Sequence, residues 1–80
     1  MPRYHFQTYE GDSAHGRESY HFPALASTWH GAAVHLGRLL PAIGADLFKD
    51  DLRLEVTNDD GLVLFSIMVV VSDMTTPRSR

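Results

Sequence analysis

The stretch LRLEVTNDDGLVLFSIMVVV, residues 52–71, decides how this chain folds. Its first part alternates. Leu52, Leu54 and Val56 fall on one side and Arg53, Glu55 and Thr57 on the other, the period of a half-buried strand. NDDG (58–61) is a hairpin turn signal. The run after it, LVLFSIMVVV (62–71), is apolar on both sides apart from Ser66. A four-residue loop would set Thr57 opposite Leu62, Val56 opposite Val63, Leu54 opposite Phe65 and Leu52 opposite Ile67. Inward residues then meet inward residues, whereas a one-residue slip would turn charges to the core. In this register Val63, Phe65 and Ile67 point inward, and Leu62, Leu64, Met68 and Val70 outward. Residues 68–71 run past the start of the preceding strand.

Working outward, RYHFQTY (3–9) alternates with Tyr4, Phe6 and Thr8 on one face and His5, Gln7 and Tyr9 on the other. ESYHF (18–22) repeats the pattern, with Tyr20 and Phe22 matching Tyr4 and Phe6. The glycine-containing EGDSAHGR (10–17) between them reads as a turn, so the two strands form an antiparallel hairpin. Pro23 then suits the entrance to a helix. Leu25, Trp29, Ala32, Ala33, Leu36, Leu39 and Leu40 follow in steps of three and four, one apolar stripe. Gly31 and Gly37 weaken that helix, so it needs a sheet beneath it. Pro41 ends it at Leu40 or shortly after. Residues 41–51 are a connection anchored by Ile43, Leu47 and Phe48.

The expected fold is α+β, in the order β-β-α-β-β. One helix packs on one face of a four-stranded, mainly antiparallel sheet whose strand order the sequence leaves open. The expected core holds Tyr4, Phe6, Tyr20, Phe22, Leu25, Trp29, Leu36, Leu40, Leu54, Val56, Val63, Phe65 and Ile67. Residues 1–74 form a single domain, and 75–80, polar and containing Pro77, a flexible tail.

Composition narrows the function classes. The chain has no cysteine, which removes disulfides and thiol nucleophiles. No apolar segment resembles a secretory signal, and the longest apolar run is about half of what a spanning helix needs. A soluble, cytoplasmic protein with no membrane partner is the expectation. Seven basic residues are scattered among ten acidic ones, for a net charge of −3. No basic stripe marks a nucleic-acid surface.

The opening MPRYHF, the junction YHFPALAS and the hairpin LRLEVTNDDGLVLFSIMVV together resemble a small bacterial family of domains of unknown function. Its members begin MPRYFF and carry a WRLEVTDExG hairpin. The likeness runs from Pro2 to about Asp73 and departs from the family pattern at His5 and Leu52. It implies a compact α+β fold and no assigned activity. The hairpin followed by FPALAS and a helix is also similar to the front half of HicB-type antitoxins. That similarity implies a small protein partner, although one strand and a DNA-binding segment are absent here.

Five histidines raise a metal site. His5 and His21 fall on the outer face of neighbouring strands, but three or four ligands with orienting partners are needed. Gln7, Tyr9 and Ser19 supply none, and His30 and His35 do not share a helix face. The expectation is solvent-facing histidines, no metal and no cofactor. Ser27 reads as a helix cap, and Asp50/Asp51 and Asp59/Asp60 as turn residues. No nucleophile with a base, no paired carboxylates and no phosphate loop are recognisable. The expected role is a non-enzymatic interaction module, a homodimer meeting around Leu62, Leu64, Met68 and Val70. The alternative is a HicB-like adaptor for a small protein partner.

Overall fold

The computed structural model describes residues 2–43 and 49–72. Strands β1 (Arg3–Glu10) and β2 (Ser13–His21) come first, then helix α1 (Leu25–Ile43), then β3 (Leu52–Asn58) and β4 (Val63–Val69). The sheet order is β2-β1-β3-β4, with every neighbouring pair antiparallel. The expected order and class of elements hold. The two hairpins join through β1 and β3 at the centre, which leaves β2 and β4 as edges. Leu47, Phe48 and the expected tail lie outside the described residues.

The core follows the alternation of the two central strands. Tyr4, Phe6, Leu52, Leu54 and Val56 are buried beneath Ala32 and Leu36 of the helix. The helix covers the middle of the sheet, so Phe65, Ile67 and Val69 of the edge strand are only half-buried. The buried helical stripe is Thr28, Ala32, His35 and Leu36, rotated from the expected one. Small residues sit where the helix approaches the sheet. Thr28 is tolerated there because its hydroxyl donates to the Leu25 carbonyl one turn back. Trp29 consequently lies outside the core at 58% exposure, and Leu25 is exposed as well.

Two further expectations change. The helix passes through Pro41 to Ile43. Near a helix end, the N–H that proline lacks costs one bond to a carbonyl already close to solvent. Ser27 lies inside the helix rather than at its cap.

The β3–β4 register also moves by two residues. Gly61 N–H donates to the Asn58 carbonyl at 3.1 Å, and the Asn58 side-chain oxygen accepts from Asp60 and Leu62 N–H at 3.0 Å. Gly61 takes a φ of +83°. This is a type I turn closed by a left-handed glycine, a three-residue loop. An irregularity then follows at Leu64, and Val56 faces Phe65, Leu54 faces Ile67 and Leu52 faces Val69. Parity is kept, because a two-residue shift leaves each side chain on its face. Residues 68 and 69 are paired with Arg53 and Leu52, so the expected overrun of residues 68–71 shrinks to those beyond Val69. The extra residue turns Leu64 toward the core, where it packs half-buried, and leaves Val63 exposed.

Candidate functional site

The backbone of β4 has a defined phase. Gly11 N–H donates to the Asp51 carbonyl at 2.9 Å, so Asp51 directs its backbone toward β1. Direction alternates along an antiparallel strand. Leu52, Leu54 and Val56 therefore address β4, and Arg53, Glu55 and Thr57 address β1. Asn58, which donates to the Leu62 carbonyl at 3.1 Å, has the same parity as Leu52. On β4, Phe65, Ile67 and Val69 spend their N–H and C=O groups on β3. Ser66 and Met68 turn theirs out of the sheet.

That edge carries no charge and no proline from Val63 to Val69. Sheet edges are normally blunted by such residues. The opposite edge, β2, follows the rule with His15, Arg17, Glu18 and His21. Beside the bare edge, Leu62, Val63, Met68 and Val70 are exposed. Of the expected interface residues, Leu62, Met68 and Val70 thus share one exposed border, and Leu64 does not.

The histidine candidates separate. His5 is buried at 8% exposure, contrary to the solvent-facing expectation. Its Nε2 lies 2.8 Å from Asp59 Oδ1 and its Nδ1 2.7 Å from Ser19 Oγ. Arg3 Nε also donates to Asp59 Oδ1, at 3.0 Å. The His5 and Arg3 hydrogen bonds hold the Asp59 carboxyl below the usual aspartate range. An ionised carboxylate only accepts, so His5 donates from Nε2 to Asp59, and its Nδ1 shares a hydrogen bond with the Ser19 hydroxyl. Both ring nitrogens are engaged, and His21 is set opposite the Arg3 guanidinium-bearing residue. Among the described residues no group of three or more side chains could hold a metal ion. Ser19 and His5 are cross-strand neighbours, and Asp59 from the β3–β4 turn completes the hydrogen-bonded line Ser19–His5–Asp59.

A third feature escaped the sequence reading. A pocket of about 230 Å³ lies between α1 and β2, lined in part by Phe6, Tyr20, Phe22 and His35. His35 is buried, set edge-on to Phe6 with centroids 5.4 Å apart. The Tyr20 hydroxyl is 3.4 Å from His35 Nδ1. Burial, then the neighbouring Glu18 carboxylate, push the Tyr20 phenol up from its usual value. The signal was the 20/22/31/35 spacing, visible only once β2 and α1 are placed side by side.

No helix among the described residues is long and apolar enough to cross a membrane. A family model described as a domain of unknown function, DUF6894, matches residues 3–70. No curated protein and no solved structure matches the chain.

Proposed function

We propose, for a chain that belongs to the DUF6894 family of domains of unknown function, an interaction role rather than a reaction: a small non-enzymatic module that works as a two-fold homodimer joined along β4. The observation that carries this reading is the uncharged edge with outward backbone groups at Ser66 and Met68. A second copy running antiparallel satisfies them reciprocally. Ile67 then faces Ile67 of the second copy, and Ser66 faces its Met68. Phe65 faces its Val69, which places the half-buried residues of both helix-side faces together. The regular part of β4, from Phe65 to Val69, is used in full. Covering each large apolar side chain recovers roughly 1.5–3 kcal/mol when burial is complete, and an edge-to-edge joint adds main-chain bonds.

The test follows from the backbone phase. Proline is tolerated at an edge position whose N–H faces solvent. Met68→Pro and Ser66→Pro should therefore keep the monomer fold and lose the dimer in sedimentation or light scattering. Met68→Lys should act in the same direction. A parent chain that stays monomeric at high micromolar concentration overturns the homodimer. The same edge would then serve the alternative, an adaptor similar to HicB-type antitoxins that takes a strand from a small protein partner.

A further inference from the structure

We propose that Trp29 is the side-chain anchor between two copies of this chain, packing onto the second copy across the two-fold at Ile67. The inference rests on the β4 dimer and names the residue that closes it.

The helix has two flanks. His30, Gly31, Val34 and Arg38 line the hollow over Tyr20 and Phe22, so that flank faces β2. The opposite flank therefore faces β4, and it carries Leu25, Trp29, Ala33 and Leu40 at steps of four and seven. At its start Leu25 shares a hollow with Leu64 of β4. At its end Leu39 and Ile43 share one with Glu10, which pairs with Leu52, itself opposite Val69. The helix thus runs beside β4 from Leu64 toward Val69. Trp29 lies four residues past Leu25, about 6 Å along the helix. Two residues of strand cover about the same length. Trp29 is therefore level with Ser66, beside the residue through which the two-fold passes.

The width of the joint admits one layer of side chains. Ala32 and Leu36 pack on β1 and β3, so the two helix axes of the joined sheet are three to four strand spacings apart, roughly 14–19 Å. A helix with its side chains is about 10–12 Å across. The slot between the helices is too narrow for a third, and Phe65, Ile67 and Val69 of both copies form its floor. Trp29 is the largest side chain on its border and is 58% exposed in the single chain. Two indole rings brought to one two-fold also favour an edge-to-face contact.

The extent of the seam points the same way. Phe65 to Val69 is a short stretch against the roughly 20–30 residues a side of a standard interface. A few large aromatic side chains near the centre carry most of the energy of such a contact. Without Trp29 the joint is main-chain bonds and a half-covered floor.

Trp29 is the only tryptophan, so its fluorescence reports on it alone. As the parent chain is concentrated through the dimer transition, its emission should move to the blue. Quenching by acrylamide should fall several-fold relative to the Met68→Pro monomer. In sedimentation, Trp29→Ala should weaken the dimer by about thirtyfold or more, the scale of an interface hot spot. A parent dimer whose Trp29 is quenched as readily as in the Met68→Pro monomer overturns the inference and leaves the β4 joint standing. So does a Trp29→Ala dimer as tight as the parent's. A parent that stays monomeric at high micromolar concentration overturns both.

Discussion

The ring of Phe22 fills the space that a side chain on Gly31 would need. A β-carbon built on Gly31 would lie 2.5 Å from Phe22 Cζ, closer than any real packing allows. Six positions on, Gly37 has nothing within 4 Å of its β-carbon site. The two glycines look equivalent in the sequence and have opposite consequences. Gly31→Ala should destabilise the fold by about 1–3 kcal/mol, the scale of overpacking, less a partial gain in helix propensity. Gly37→Ala should stabilise it by up to about 1 kcal/mol. Denaturant titration of the pair checks both signs.

Periodicity assigns both Trp29 and Phe6 to the core, and only Phe6 is buried there. Trp29 is largely exposed and Phe6 is 1% exposed. Trp29→Ala should alter monomer stability by about 0.5 kcal/mol or less, as surface positions do. Phe6→Ala should cost about 3–5 kcal/mol, a large share of a small domain's total. Thermal melts at low protein concentration separate the two.

The Asp59 carboxyl is depressed below its unfolded value by the His5 and Arg3 hydrogen bonds. A depressed acid contributes stability above its unfolded pKa and loses it as pH falls through the folded one. The parent should therefore lose stability on the acid side of the ordinary aspartate range. Asp59→Asn should flatten that limb of the pH–stability profile and leave the neutral region less affected. Melting temperatures measured from neutral to strongly acidic pH give the comparison, and an unchanged acid limb would count against the cluster.

Hydrogen exchange reads the phase of β4 directly. In dilute protein the Ser66 and Met68 amides should exchange fast, and those of Phe65, Ile67 and Val69 slowly. Raising the concentration through the dimer transition should protect Ser66 and Met68. Uniform protection along β4 in the monomer would contradict the alternation argued from Gly11 and Asp51.

Element order, both hairpins and the buried faces of β1 and β3 were legible in the sequence. Alternation with period two is forced wherever one face of a central strand meets the core, and Phe6, Leu54 and Val56 obey it. What failed lies at irregularities. NDDG reads as a hairpin in any register, and only the hydrogen bonds of Asn58 and Gly61 show a three-residue loop. The extra residue at Leu64 leaves no mark in an all-apolar run, so Leu64 and Val63 trade faces unannounced. Helix periodicity locates a stripe to within a residue, and the choice of Thr28 over Trp29 depends on how closely helix and sheet approach. The bare edge was legible as an unexplained apolar run. The pocket was not, because its walls belong to elements that meet only in three dimensions.

The central pairing of β1 with β3 also sets the order of events in folding. Each hairpin is local, and hairpins form in about 1–10 μs. Neither persists alone in water. They are sealed together only when the chain closes on itself: Arg3 and Asp59, hydrogen-bonded across that seam, are 56 positions apart. Closing so long a loop is an entropic cost met before the core rewards it. Docking of two transient hairpins is thus the slow step. Truncations at Phe6 or Val56, which face each other across the seam, should slow folding. Truncations in the outer half of β4 should instead hasten unfolding, so the strand that is proposed to join two copies is the first to come loose from one.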